Sequence, residues 1–425
     1  MSHPSFVLKG DFCWSRDPRN IVTRPNCYLV CEDGVSAGVF DTLPPQYAHL
    51  PLSDYSGMLI TPGLTDLHVH APQYAFRGLG MDLELLDWLA TNVFPEETKY
   101  SGLDYAKKAY SQFVDDMRRG PNTRACIFAT VHPAATELLM DLLESSGLCT
   151  MVGKVNMDRN CPDTLREGSA EASAAATEHW LRDIAGRYTH TRPILTPRFI
   201  PSCTDELMGK LGELQREHHL PVQSHLSENQ GEVAWVHELC PKAEFYGDAY
   251  DQNGLFGGDA PTIMAHCVLS EEPERKRMKE RGVYIAHCPQ SNANLSSGVA
   301  PVRTYLQEGQ HVGLGSDVAG GATLSIFRAM ADAISVSKLR WRLQDQGLAP
   351  LTAAEAFYLG TMGGGSFFGK VGSFSAGYEL DAVVLDDTRL TGPHDLTLRQ
   401  RLERVIYLSE DHDVVHKYVC GNQIF

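Results

Sequence analysis

Eight short apolar segments, separated by stretches of helical periodicity, constrain the fold of this chain more than any other feature. The apolar segments span residues 59–70, 124–130, 149–157, 193–199, 221–225, 262–266, 283–287 and 311–316. Helical periodicity lies between several of them, at 104–119, 136–143 and 204–218. Strands that alternate with helices are typical of βα units and a parallel sheet. Eight such units predict an α/β chain with a TIM-like (β/α)8 barrel.

The two ends of the chain depart from this pattern. Short β-prone runs come first, at 6–9, 28–32 and 37–40, and helical stretches follow the last barrel strand, at 324–343 and 353–359. Further β-prone runs lie at 380–385, 404–408 and 415–419. We therefore predict that both termini form one small β-sandwich-like domain beside the barrel. The predicted boundaries are 1–60 and 371–425 for its two parts and 61–370 for the barrel.

Polar residues stand at the ends of the predicted barrel strands, where barrels of this type carry their active sites. In chain order these residues are His68 and His70, His225, His266, His287 and Asp317. Residues two apart on a strand face the same side, so the first strand presents two imidazoles together. Two histidines on a half-buried strand are ordinary by themselves. Four strands that carry histidine there, followed by a carboxylate, are difficult to explain by core packing.

Imidazole and carboxylate groups together predict a metal site. We predict one divalent ion held by His68, His70, His225 and Asp317. These ligands suit zinc, with iron or cobalt as alternatives. A bound metal lowers the pKa of water to about 7, which makes hydroxide available at neutral pH. Asp317 could accept the proton of that water, and His266 could hold the hydroxide through a hydrogen bond.

Glu228 follows His225 by three residues and lies just beyond the strand end. A carboxyl group in that place can carry a proton from water to a ring nitrogen and then to a leaving amine. The alternative is a structural one, because acidic residues are also favoured at helix N-termini. The neighbouring histidines favour the catalytic interpretation.

Four residues are candidates for substrate contacts. Arg198 only donates hydrogen bonds, so it suits a carbonyl oxygen or an unprotonated ring nitrogen, although a surface ion pair is the alternative. Phe199 could stack on a flat ring. Gln73 offers a donor and an acceptor, or simply faces solvent. The amphipathic segment 82–94 could cover the site with Trp88, or pack as an ordinary barrel helix.

Composition excludes several classes of protein. The 425 residues carry a net charge of −16, which argues against a nucleic-acid surface. The 11 cysteines include no C-x-x-C pair, which indicates reduced thiols and a cytoplasmic location. No signal peptide and no membrane-spanning apolar stretch are predicted.

These motifs resemble those of the amidohydrolase superfamily and, within it, the guanine deaminase group. The superfamily markers are Pro62-Gly63, His68, His70, His225, His266 and Asp317. The closer likeness rests on HAPQY at 70–74, LLDWL at 85–89, PRF at 197–199, HLSEN at 225–229, HCPQSN at 287–292 and GLGSDVAGG at 313–321. The matching strings cover the predicted barrel from about residue 59 to residue 321.

The resemblance implies zinc-dependent hydrolysis of guanine to xanthine and ammonia, with hydroxide attacking C2 of the purine. It implies that Glu228 protonates a ring nitrogen and passes a proton to the amino group, while Asp317 receives the proton of the water. It also implies a homodimer. The expected substrate contacts are Gln73, Trp88, Arg198, Phe199, His225, Glu228 and Asp317.

Other functions stay open at this point. A sister enzyme could deaminate 8-oxoguanine, a pterin or cytosine. A two-metal enzyme would need a bridging lysine at the fourth strand, where Arg198 stands instead, and Lys154 on the third strand is a poorer substitute. A scaffold that lost its chemistry would be expected to lose ligands. The zinc deaminases with a P-C-x-x-C motif are excluded, because the motif is absent.

Overall fold

The chain forms a seven-stranded sheet from its two termini and two four-stranded parallel sheets from its middle, in a computed structural model that describes residues 4–425. The strands are β1 (Phe6–Asp17), β2 (Asn20–Glu32), β3 (Val35–Phe40), β4 (Leu52–Pro62), β5 (Leu64–His70), β6 (Asn122–Phe128), β7 (Cys149–Gly153), β8 (Val155–Asn156), β9 (Thr191–Pro193), β10 (Thr196–Pro197), β11 (Val222–Leu226), β12 (Thr262–His266), β13 (Tyr284–His287), β14 (His311–Leu314), β15 (Ala382–Leu385), β16 (Val414–Val419) and β17 (Asn422–Gln423).

The α-helices of the described chain are Leu85–Trp88, Phe94–Thr98, Leu103–Arg119, Pro133–Ser146, Ala170–Ile184, Asp205–His218, Gln230–Leu239, Asp248–Asp251, Glu272–Arg281, Pro289–Asn294, Val302–Glu308, Ile326–Leu343, Ala353–Tyr358 and Leu398–Leu408. None of the described helices is both long and apolar enough to cross a membrane.

Parallel strands make up the middle of the chain, as predicted. One sheet has the order β5-β6-β7-β9 and the other β11-β12-β13-β14. A parallel bridge between Leu195 and Val222 joins the two sheets on one side. On the other side the amide of Asp317 donates to the carbonyl of His68 at 2.8 Å. The carboxyl ends of both sheets therefore meet at one end of the fold.

The first predicted strand, 59–70, divides at Gly63. Residues 59–62 belong to β4 in the terminal sheet, and the parallel strand begins at Leu64. A Cβ atom on Gly63 would lie 2.2 Å from Oγ1 of Thr123, so only glycine allows this close approach. The change of direction between the two sheets therefore depends on this glycine.

Both termini contribute to the seven-stranded sheet, whose order is β17-β16-β15-β4-β1-β2-β3. The strand predicted at 404–408 was wrong, because these residues end the helix Leu398–Leu408. Thr397 and Gln400 form a capping box at the start of that helix, and Leu402, Val405 and Ile406 face the core at helical spacing.

Buried charges hold the terminal sheet against the parallel strands. Nε of Arg124 donates to Oδ2 of Asp381 at 2.7 Å, with both side chains almost fully buried. Nζ of Lys417 donates to the carbonyls of Met117 at 2.9 Å and Asn122 at 2.8 Å. Burial lowers the pKa of Lys417 to about 7. These polar contacts satisfy the buried groups and so fix the position of the sheet.

Candidate active site

Three histidines and an aspartate converge where the two parallel sheets meet. Nε2 of His68 lies 3.2 Å from Oδ1 of Asp317, and Nε2 of His70 lies 3.5 Å from the same oxygen. Nε2 of His70 and Nε2 of His225 face each other at 3.2 Å. His68 and His70 lie on β5 and His225 on β11, so residues far apart in the chain form one cluster.

Hydrogen bonds to the outer ring nitrogens fix the orientation of two histidines. Nδ1 of His225 lies 2.6 Å from the carbonyl oxygen of Arg198, and Nδ1 of His266 lies 2.9 Å from Oδ1 of Asn292. Each Nδ1 can donate to its oxygen, which leaves each Nε2 with a free lone pair. Both Nε2 atoms then point to the interior of the cluster as acceptors.

The donor set fits a divalent metal ion. The ligand atoms of His68, His70 and Asp317 lie within 4.8 Å of one another, as do those of His68, His225 and His266. Burial, followed by the neighbouring His68, lowers the pKa of His70 and of His225 well below the usual value, so both rings are neutral at pH 7. Within the described chain, neither ring nitrogen of His68 makes a hydrogen bond, although its Nε2 lies 3.2 Å from the carboxylate of Asp317. A cation between these lone pairs would satisfy buried nitrogens that otherwise have no donor.

The backbone departs from strand geometry at the residues that turn into the site. His266 has a φ of 72° and Asp317 a φ of 46°, both in the left-handed region that non-glycine residues rarely adopt. Asp66 accepts hydrogen bonds from the amides of His68 and Ser316, at 3.2 and 2.9 Å. This buried carboxylate therefore ties the start of the metal-site strand to the segment that carries Asp317.

Glu228 lies beside the histidine cluster. Its Oε2 lies 3.4 Å from Nε2 of His266, and its Oε1 accepts a hydrogen bond from Oγ of Ser297 at 3.2 Å. Burial, and then the charge of Asp317, raises the pKa of Glu228 well above its usual value. A carboxyl group in this environment binds a proton more tightly than one in water, which suits a group that carries a proton to the substrate.

A buried glutamate joins the two residues predicted to recognise the substrate. Oε2 of Glu97 accepts from Nη1 of Arg198 at 2.6 Å, and its Oε1 accepts from Nε2 of Gln73 at 3.0 Å. Oε1 of Gln73 accepts from the amide of Ala319 at 3.3 Å, which fixes the orientation of its side-chain amide. The guanidinium also lies over the ring of Phe94, 5.3 Å from its centroid. The surface ion pair considered for Arg198 is therefore wrong, because the pair is buried.

One pocket contains most of the predicted site residues. Its walls are His70, Gln73, Leu85, Trp88, Leu89, Arg198, Phe199, His225, Glu228, Glu232, His266, Leu295 and Asp317. Trp88 comes from the short helix Leu85–Trp88, and its Nε1 donates to the carbonyl of Leu79 at 3.3 Å. His68 lies just behind the pocket. Of the two alternatives for segment 82–94, the structure supports a contribution to the site, through the short helix Leu85–Trp88 and the π-helical turn Leu89–Val93 that follows it.

Some residues occupy places that the sequence did not indicate. Glu97, Glu232 and Leu295 were not among the predicted site residues. Glu232 accepts hydrogen bonds from the amides of Glu228 and Asn229, at 3.0 and 3.3 Å. Both glutamates stand in the first turn of a helix, where acidic residues are common, so the sequence carried no signal that set them apart.

Two other polar residues lie away from the pocket. Lys154 is fully buried, and its ammonium group contacts Glu167, so it does not bridge metals in this structure. His287 is buried too, and its Nδ1 has no hydrogen-bond partner in the described part of the chain. The prediction of a polar residue at this strand end is confirmed, but His287 does not line the pocket.

Comparison with solved structures extends this description. The structure of a guanine deaminase from C. acetobutylicum, with guanine bound in its active site, superposes with a TM-score of 0.96 at 46% identity. The match covers 99% of this chain and 100% of that chain. This likeness identifies the fold as a TIM-barrel-like α/β fold.

Sequence comparisons agree. The chain is 39% identical over 378 residues to the guanine deaminase of Dictyostelium discoideum, covering 87% of this chain and 83% of that protein. It is 38% identical over 376 residues to the guanine deaminase of Rattus norvegicus, covering 85% and 82%. The model of the Amidohydrolase family matches residues 59–424. The chain therefore belongs to the amidohydrolase family.

Proposed function

We propose that this protein is a hydrolase that converts guanine and water to xanthine and ammonia. The support from comparison is that relatives covering most of the chain are guanine deaminases, one of them solved with guanine bound. The support from geometry is a pocket that combines a histidine–aspartate cluster, a buried acid and a donor-only guanidinium.

The observation that carries the choice of substrate is the buried Arg198. Guanine presents acceptors at N7 and O6, whereas adenine presents an amino donor at the position of O6. A guanidinium has five N–H donors and no acceptor, and one donor of Arg198 is used by Glu97. The remaining donors suit the oxygen edge of guanine. Facing adenine, a buried donor would lose its partner at a cost of about 1–3 kcal/mol.

We propose the following roles for the chain's own groups. Arg198 and Gln73 bind the purine edge, and Phe199 and Trp88 pack against the ring. Glu228, whose pKa is raised by burial, donates a proton to a ring nitrogen and then delivers a proton to the leaving amino group, which departs as ammonia.

At the metal site we propose one zinc ion, held by His68, His70, His225 and Asp317. When bound, such an ion makes water nucleophilic at neutral pH. Asp317 takes the proton released by the attacking water, and His266 orients the nucleophile through Nε2, which accepts a hydrogen bond from it. His225 and Asp317 thereby also contact the substrate at the reacting carbon. Iron is the alternative metal.

Ammonia release from a panel of guanine, 8-oxoguanine, pterin, cytosine and adenine tests the proposal. We expect the highest kcat/KM with guanine and, from the loss of one buried donor's partner, a value about 5- to 150-fold lower with adenine. A higher kcat/KM with another member of the panel would transfer the proposal to that heterocycle. No ammonia from any member, with no metal in the purified protein, would identify a scaffold that has lost its chemistry.

Several finer expectations stay predictions. They are a closed eight-stranded barrel, a homodimer, a cytoplasmic location and the boundaries 1–60, 61–370 and 371–425. Sedimentation of the purified protein tests the homodimer, and limited proteolysis tests the boundaries.

A further inference from the structure

A second polar cluster lies at the opposite end of the parallel strands from the candidate active site. Cys149 is the first residue of β7, and Arg124 lies near the start of β6. Cys420 stands in the turn between β16 and β17 of the terminal sheet. The cluster therefore sits where the two parts of the fold meet.

One guanidinium holds both thiols. Nη1 of Arg124 lies 3.3 Å from Sγ of Cys149, and Nη2 lies 3.4 Å from Sγ of Cys420. Asp381 fixes this arrangement, because it accepts from Nε of Arg124 at 2.7 Å and from the backbone amide of Cys420 at 2.8 Å. The two sulfur atoms are thus held together by groups that are themselves buried and paired.

The environment makes the two thiols unequal. A hydrogen bond from the thiol of Cys420, together with the charge of Arg124, lowers the pKa of Cys149 against the effect of burial. The same hydrogen bond, with burial, raises the pKa of Cys420. Two thiols on one guanidinium are the combination found in reactive cysteine pairs, because the positive charge favours the nucleophilic thiolate at one sulfur and the second thiol can resolve its product.

A cavity gives small molecules access to these sulfurs. It has a volume of about 200 Å³ and is lined by Arg124, Cys149, Arg192, Glu379 and Cys420 among others. Cys149 is 8% exposed and Cys420 is 5% exposed. Cys149 and Cys420 are therefore buried, whereas Cys161 and Cys240 are the half-buried thiols of the described chain and are more accessible.

We propose that Cys149 and Cys420 form a peroxide-sensitive thiol pair that closes to a disulfide. In the first step the Cys149 thiolate attacks one oxygen of hydrogen peroxide, giving a sulfenic acid and hydroxide. In the second step the Cys420 thiol attacks that sulfenic sulfur, and water leaves as the disulfide forms. Peroxide is the oxidant and the two thiols are oxidised by two electrons in total.

The disulfide would connect β7 to the terminal sheet by a covalent bond. The ion pair of Arg124 with Asp381 already joins the neighbouring strand β6 to the same terminal sheet. Oxidation would therefore reinforce an existing contact and leave the fold in place. The candidate active site lies at the other end of the strands, so this inference does not depend on the proposed function.

Peptide mapping of the wild-type protein after graded hydrogen peroxide tests the proposal. We expect a linked pair of peptides containing Cys149 and Cys420 before any modification of Cys161 or Cys240. With iodoacetamide at pH 7 and no peroxide, we expect Cys149 to react at least about tenfold faster than Cys161. Earlier oxidation of Cys161 or Cys240, or no linked peptide once they are modified, would overturn the proposal.

A variant separates the two steps. In Cys420→Ser the resolving thiol is missing, so we expect a sulfenic acid at Cys149 that dimedone traps. In the matched control Cys161→Ser we expect the disulfide to form as in the wild type. No dimedone adduct at Cys149 in the first variant, or loss of the disulfide in the second, would contradict the assigned order.

Discussion

Replacement of Glu97 by glutamine tests whether this residue positions the two substrate-binding side chains. Glu97 is 1% exposed and accepts from both Arg198 and Gln73 through its two carboxylate oxygens. Glutamine keeps the shape but offers a single acceptor oxygen, and its NH2 group would face a donor. One of the two contacts is therefore lost, and Arg198 stays buried without a counter-charge.

The structure sets the size of the effect. Breaking a buried ion pair by removing one partner costs about 3–5 kcal/mol, and we expect the lower end because one acceptor remains. The free energy of unfolding should therefore fall by about 3 kcal/mol. One poorly placed charged donor weakens the binding free energy of the substrate by about 1.5–3 kcal/mol, which raises KM about 10- to 100-fold. We expect a smaller change in kcat, because Glu97 does not contact Glu228 or Asp317.

Steady-state kinetics with guanine, together with urea denaturation, measure both quantities. The matched control is Glu96→Gln, because Glu96 is the adjacent residue and pairs with Lys99 at 2.6 Å and with Tyr105 outside the pocket. We expect its KM to stay within about twofold of the wild type. A wild-type KM for Glu97→Gln, at unchanged metal content, would refute the positioning role.

Three further changes test other parts of the molecule. Glu228→Gln keeps the size of the side chain but removes its acidic proton, so kcat should fall at least about 100-fold while metal content is retained; wild-type turnover would remove the assigned role. Asp317→Ala removes a proposed ligand and base, so ammonia release should vanish and elemental analysis should find less metal; full activity would contradict both roles. Lys417→Met tests whether this lysine makes stability depend on pH. The pKa of Lys417 is about 7 in the folded chain and about 10.4 in the unfolded chain. At a pH between these two values the unfolded chain therefore binds more protons than the folded chain. The free energy of unfolding should then rise with pH in the wild type, by up to about 1.4 kcal/mol per unit between pH 7 and 10, relative to the variant. If urea denaturation gave the same pH dependence of the free energy of unfolding for the wild type and the variant, Lys417 would not be its source.

The convergence of histidines could be predicted from sequence because parallel strands bring their carboxyl ends together. His70, His225 and Asp317 each follow an apolar run, so their meeting required only the alternation of strands and helices. The pairing of Glu97 with Arg198 could not be predicted in the same way. Glu97 stands in the first turn of a helix, where acidic residues are common, and its partner lies 101 residues further on.

The error at 404–408 has a local cause. Val405 and Ile406 favour a strand by their branched side chains, but the helix is decided by the cap at Thr397, seven residues before the predicted strand. Lys154 was considered as a metal bridge because it follows an apolar run. Its partner Glu167 lies in a loop without regular structure, so no periodic pattern indicated the ion pair.

The hydrogen bonds of Asp66 to Ser316 join residues 250 positions apart and have a consequence for synthesis in the cell. A nascent chain that has left the ribosome only as far as its middle contains His68 and His70 and lacks His225 and Asp317. The proposed ligand set is therefore complete only after about three quarters of the chain has been made, and we expect fragments that end before Asp317 to bind the ion more weakly than the full chain.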